Sequence, residues 1–97
     1  MKNVFLVSYD VCEAKRLRKT YKKLCGFGNA LQYSVFRCEL SPLQLHSLKE
    51  QLWEILNLDE DRVMLVDLGP AGARGDECVE FWGKCRMEIP SRTAVIV

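Results

Sequence analysis

The chain predicts a small α+β domain whose elements alternate as βαββαβ, and three observations predict it. An apolar run lies at residues 3–9, a strongly basic amphipathic segment follows at 13–25, and a second helical segment with a full set of start signals begins at Ser41. Ninety-seven residues make one domain, and chains of this size bury roughly two-thirds of the surface they expose when unfolded.

Each element has a local cause. Residues 3–9 are continuously apolar apart from Asn3 and Ser8 and are rich in β-branched and aromatic types, the pattern of a buried strand. Residues 13–25 place Ala14, Leu17, Tyr21 and Leu24 at three- and four-residue spacing, an apolar stripe facing a core. Gly26 is then expected to end the helix in the left-handed region. Residues 30–40 hold Tyr33, Val35 and Phe36 and form one bent strand or two short ones; no Asn-Gly turn decides between them. Ser41 caps the second helix, Pro42 takes its first position and Gln44 completes a capping box. Leu45, Leu48, Leu52, Ile55 and Leu56 form its buried face, and it ends near Asn57. Residues 62–68 make a further strand of alternating character.

With the middle strand split, this is the ferredoxin-like βαββαβ arrangement, complete within residues 1–68. Residues 69–77 follow as a hinge, with three glycines and a proline between Gly69 and Gly75. Residues 78–97 form a C-terminal strand segment, with apolar pieces at 78–82 and 93–97. They either add an edge strand to their own sheet or cross to a twin subunit and cover an edge there; the crossing is the preferred expectation.

Composition limits the function classes. Net charge is +1, so nucleic-acid affinity has to come from local clustering. Cys12, Cys25, Cys38, Cys78 and Cys85 are odd in number and contain no CxxC pair, which matches neither a zinc site nor a secreted disulfide scaffold. The start of the chain lacks the pattern of a signal peptide, and no run approaches the roughly 20 apolar residues that span a membrane. A cytoplasmic protein with reduced thiols is expected, with no membrane partner.

Asp10 is the leading site residue. It closes the first strand just before a helix crowded with Lys and Arg, where a metal ion and a phosphate backbone can meet. The plain alternative is a helix N-cap. One carboxylate is a poor magnesium site, since the ion takes one or two carboxylates plus waters and phosphate. Glu13 is a possible second donor, or else a first-turn acid favoured by the helix dipole. In a twofold dimer two copies of Asp10 can share one ion, which polarises a phosphodiester and lowers the pKa of a bound water.

From Lys15 to Lys23 there are six basic residues in nine and no acid. Lys15, Lys19 and Lys22 share a helix face with Arg18 alongside. A solvated face is the ordinary explanation, but like charges without intervening acids imply an anionic partner. Backbone contact of this kind is salt-sensitive and tolerant of sequence. His46 reads as a surface residue, and Ser34 has no acid–base partner in the sequence. Trp53, Phe81 and Trp82 read as packing or interface residues.

Taken together, Tyr9-Asp10-Val11, the basic helix 15–23, Gly26-Phe27-Gly28 and Gln32-Tyr33-Ser34-Val35-Phe36 with Cys38-Glu39-Leu40 resemble CRISPR-associated protein 2, the small core protein of CRISPR adaptation. Val79-Glu80-Phe81-Trp82-Gly83 and Ile89-Pro90-Ser91 extend the resemblance over essentially the whole chain. It implies a ferredoxin-like homodimer whose C-terminal strand packs on the partner subunit, with Tyr9, Phe36, Val79, Phe81 and Trp82 expected at the interface. It implies Mg2+ held by Asp10 of each protomer, Asp10 being also the catalytic residue of a metal-dependent endonuclease acting on RNA or double-stranded DNA. It places Arg16, Arg18 and Lys19 on nucleic-acid phosphates, to which the shared helix face adds Lys15 and Lys22 as expected contacts. It also implies bridging of the CRISPR integrase, CRISPR-associated protein 1, during spacer acquisition. A non-catalytic duplex-DNA-binding adaptor is the alternative, and a toxin-like ribonuclease on the same fold is a further one. The chain departs from the family in Val11-Cys12-Glu13-Ala14, where members often carry more acidic or polar residues.

Overall fold

The computed structural model describes residues 1–84, the side chain of Asp76 excepted. Four strands, β1 (Asn3–Asp10), β2 (Gly28–Gln32), β3 (Val35–Leu40) and β4 (Arg62–Pro70), form one sheet in the order β2-β3-β1-β4. Every neighbouring pair is antiparallel. Helices α1 (Ala14–Cys25) and α2 (Pro42–Ile55) make the two crossovers. This is the ferredoxin-like order expected from the sequence.

The capping box of α2 forms as its residues dictate. Ser41 Oγ accepts the Gln44 N–H at 3.2 Å, and Gln44 Oε1 accepts the Ser41 N–H at 2.8 Å. The start of α1 differs from the N-cap alternative considered for Asp10: Glu13 is the cap, its Oε1 accepting the Arg16 N–H at 2.9 Å. That frees Asp10. The end of α1 also departs from expectation, because Gly26 has φ −81° rather than a left-handed angle; its N–H donates to the Lys23 carbonyl at 3.0 Å. The glycine of Gly26-Phe27-Gly28 that cannot be replaced is Gly28, where a Cβ runs into the Arg37 carbonyl and the Cys38 sulfur of β3.

The stretch 30–40 is two strands, turned at Tyr33-Ser34, with a register irregularity between Ala30 and Gln32. The core lies between the sheet and the helices: Phe5, Val7 and Tyr9 of β1, Phe36, Cys38 and Leu40 of β3, Leu24, and Leu48, Leu52 and Leu56. On α1 the buried line is Thr20 and Leu24, with Leu17 and Tyr21 only at its margin, so the stripe is rotated from the one the apolar spacing predicts. Phe36 is fully enclosed, with its ring 5.4 Å from Tyr21 in an edge-on packing and 6.2 Å from Tyr9.

Two expectations for the interface are corrected here. Tyr9 and Phe36 are 4% and 0% exposed in the protomer's own core, so neither has surface left for a partner. Tyr9 also donates its hydroxyl to the Tyr33 carbonyl at 3.1 Å, and burial pushes its pKa up to about 12.

The C-terminal boundary also moves. Gly69 and Pro70 close β4 instead of opening a hinge, and the Ala71 N–H returns to the Lys2 carbonyl at 2.8 Å. Gly75–Cys78 is a 3-10 turn whose buried Gly75 sits against Leu68 and Val4. Among the described residues no strand follows Pro70. The fifth strand expected at 78–82 is absent there, while the apolar piece 93–97 and Ile89-Pro90-Ser91 lie outside the described residues. Val79 is half-buried, and Phe81 and Trp82 are exposed.

Candidate functional site

The β1–β4 register builds the site. Directly opposed residues of antiparallel strands share a sheet face. The pairs Leu6–Val66, Ser8–Met64 and Asp10–Arg62 therefore lie in a row on the face away from the helices. On the other side of β1, Arg37 pairs with Leu6 and Val35 with Ser8 on the same face. The 3-10 turn covers this face at Val4. Met64 is 54% exposed and Val66 37%. The result is an apolar patch that ends in a carboxylate and a guanidinium.

Asp10 is exposed, and among the described residues no ion pair or side-chain hydrogen bond engages it. The Tyr33-Ser34 turn stands beside it, where the Tyr9 N–H donates to the Ser34 carbonyl at 3.1 Å. As a hard oxygen donor Asp10 suits magnesium, but one protomer is not enough. The described residues form no group of three or more His, Cys, Asp or Glu able to hold a metal. Glu13 is not a free second donor, since it is committed to capping α1. The backbone N–H of Arg16, then that of Lys15, hold its carboxyl below the ordinary range. Within one protomer Asp10 would be the sole side-chain donor, which suits magnesium only with water and phosphate oxygens or a further carboxylate filling the remaining positions.

Behind Asp10 lies a polar cluster that the sequence does not announce. The Asp61 carboxylate, with no exposed surface, accepts four hydrogen bonds: Cys12 N–H at 3.0 Å, Asn57 N–H at 2.9 Å, Arg16 Nε at 2.8 Å and Arg16 Nη2 at 3.2 Å. Arg16 Nη2 also reaches Glu60 at 3.0 Å, and Cys12 Sγ donates to the Glu60 carbonyl at 3.1 Å. The Arg16 guanidinium holds Asp61 well below the usual carboxylate range, and Asp61 in turn holds Arg16 firmly charged. Arg16, expected on phosphates, is therefore spent inside the protein. Lys15, Arg18, Lys19 and Lys22 are exposed, and Arg18, Lys19 and Lys22 enter no ion pair among the described residues.

Sequence reading missed Asp61, Glu60 and Arg62. Arg62 had a usable signal, since it opens the expected strand at 62–68 and antiparallel pairing to β1 sets it opposite Asp10. Asp61 had none, because Arg16 and Cys12, the partners that tie it to the site, lie 45 and 49 residues away. The remaining candidates are plain: His46 pairs with Glu50 at 3.2 Å on the exposed side of α2, and Trp53 is exposed. No helix of the described residues is long and apolar enough to cross a membrane.

The profile of the family described as CRISPR associated protein Cas2 matches residues 3–74. The chain belongs to that family. The Cas2 match covers every element that builds the Asp10 site. A CRISPR-associated endoribonuclease Cas2 of Geobacter sulfurreducens is 41% identical over 71 residues, covering 73% of this chain and 75% of that protein. One from Rhodospirillum rubrum is 34% identical over 95 residues, 98% of this chain and 91% of its own length. Among crystal structures, Streptococcus pyogenes Cas2 superposes with a TM-score of 0.72 at 29% identity, over 82% of this chain and 99% of that one. A hypothetical protein of Thermus thermophilus gives 0.75 at 28% identity, over 87% and 94%.

Proposed function

We propose that this Cas2 family member is a homodimeric, magnesium-dependent nuclease that grips the phosphate backbone of nucleic acid in CRISPR adaptation. The observation that carries the reading is Asp10, an exposed and unpaired carboxylate at the end of an apolar sheet face. Apolar surface of that kind favours association, and association about a twofold axis at this end brings two copies of Asp10 together. The two Asp10 carboxylates would hold a magnesium ion, which would supply Lewis-acid polarisation of a phosphodiester and a more acidic bound water. The chain's own residues do the rest. Asp10 orients the ion, Arg62 opposite it offers a fork of donors to a phosphate oxygen, and Arg18, Lys19 and Lys22 hold the flanking backbone. Binding through phosphates is salt-sensitive and indifferent to base sequence. The curated relatives named as endoribonucleases support RNA as the substrate.

Segment 78–97 is assigned to the partner subunit. What supports this is β4, a nine-residue edge strand with Met64, Leu65 and Val66 exposed, which invites pairing. Bridging of the integrase, CRISPR-associated protein 1, is assigned to the same dimer.

A second reading, a non-catalytic adaptor on duplex DNA, is favoured by one observation: the described residues supply no metal cluster within a protomer and no evident general base beside Asp10. The deciding experiment incubates short RNA and duplex DNA with the purified protein and with Asp10→Ala, in magnesium or chelator. Magnesium-dependent cleavage lost in Asp10→Ala is the expected result. Binding without cleavage by either protein establishes the adaptor, and cleavage retained in Asp10→Ala removes Asp10 from the mechanism.

A further inference from the structure

We propose that Arg16 is a positioning residue rather than a phosphate contact: clamped by Asp61 and Glu60, it fixes the turn that carries Asp10. The inference rests on Asp10 being the site and revises which part of the basic helix meets nucleic acid.

The clamp grips the chain on both sides of the Asp10–Arg62 pair. Cys12, whose N–H donates to Asp61, lies two residues after Asp10, and Asp61 immediately precedes Arg62. Arg16 spans the gap by engaging Asp61 through two different nitrogens. Asn57, donating to the other Asp61 oxygen, ties the same carboxylate to the end of α2. One buried side chain thus connects the β1–α1 turn, α1, and the α2–β4 loop. A lysine cannot reproduce it, because the clamp uses the planar Nε/Nη2 fork.

Charge excludes the alternative role. The Arg16 guanidinium faces Glu13 at 3.9 Å, Glu60 at 3.0 Å and Asp61 at 2.8 Å, three carboxylates against one cation. A phosphate approaching there meets a negative surplus and has to break a buried, hydrogen-bonded pair. The anionic strand therefore runs along Lys15, Arg18, Lys19 and Lys22, which lie on the exposed side of the helix, with Arg16 below it.

The test compares Arg16→Gln, Arg16→Lys, Asp61→Asn and Lys19→Gln. Duplex DNA binding is measured across salt in chelator, amide hydrogen exchange is followed at residues 9–13 and 61–63, and kcat and KM are measured in magnesium. Lys19→Gln is expected to reduce the salt slope by about 0.9, the value for one lost phosphate contact, and to leave exchange unchanged. Both Arg16 variants and Asp61→Asn are expected to keep the slope and to speed exchange at Cys12 and its neighbours. They are also expected to lower kcat by up to about 10²-fold at constant KM, a size of loss that misplaced reacting groups produce. Arg16→Lys carries the test if the other variants fold poorly, since a phosphate contact tolerates lysine and the clamp does not. A slope reduced in Arg16→Gln but kept in Asp61→Asn overturns the proposal, as does unchanged exchange in all three clamp variants. Absence of cleavage in the parent protein sinks the nuclease reading alone, because slope and exchange still decide the clamp.

Discussion

The two faces of the sheet are built from the same strands and have opposite fates. On the helix side, Phe5, Val7, Tyr9, Phe36, Cys38 and Leu40 are all buried. On the other side, Leu6, Val35, Met64 and Val66 keep surface, and the row ends at Asp10 and Arg62. The first face completes the protomer and the second leaves it with unused apolar area. The difference teaches where function can reside: a carboxylate on the covered face is buried in core, whereas one on the open face is free for an ion and a partner.

Substitutions can break the comparison from either side. The largest effect is expected from Phe36→Ala, which empties the centre of the covered face and costs about 3–5 kcal/mol. Chemical denaturation reads this directly, and a loss below 1 kcal/mol means that the core is not where the burial pattern places it. On the open face, the double variant Met64→Glu, Val66→Glu is expected to change protomer stability by only about 0.5 kcal/mol per site. If the proposed homodimer forms through this face, the variant should sediment as a monomer where the parent is a dimer and should lose the proposed magnesium-dependent cleavage. A dimer that survives both charges has to be held elsewhere.

The smallest effect sharpens the contrast without altering the fold. Burial pushes the Cys38 thiol up to about 11, so at pH 8 it is roughly one part in a thousand thiolate. Its alkylation should be slow and should rise about tenfold per pH unit towards that value. Cys12, Cys25 and Cys78 are exposed and are expected to react ahead of it. Mass spectrometry of partially labelled protein checks the order, and early labelling of Cys38 would show that the covered face opens readily.

What could be read in advance follows the range of the interactions. The start of α2 was legible because Ser41, Pro42 and Gln44 act within one turn. The strands β1 and β4 were legible from their apolar character, and Asp10 from its place at a strand end beside a basic helix. The β2–β3 hairpin was not, since Tyr33-Ser34 carries no turn signature. Nor could the continuous apolar run of β1 say which parity faces the helices, so nothing in the sequence opposed the interface role that the resemblance suggested for Tyr9; Phe36 joins the same core face through its pairing with Val7. Arg16 could not be told from the other phosphate-contact candidates of α1 for the same reason, because Glu60 and Asp61, which neutralise it, lie far along the chain.

By itself, then, the sequence determined the helices and the strands β1 and β4, the N-terminal cap of the second helix, the candidate carboxylate and the family. Those rest on contacts between near neighbours and on the two periodicities of side-chain direction. Only the tertiary structure decided which sheet face stays open, that Arg62 stands opposite Asp10, and that Arg16 is locked to Asp61. Each of these requires residues distant in sequence to be brought together by strand register, and register is fixed only when the whole sheet packs.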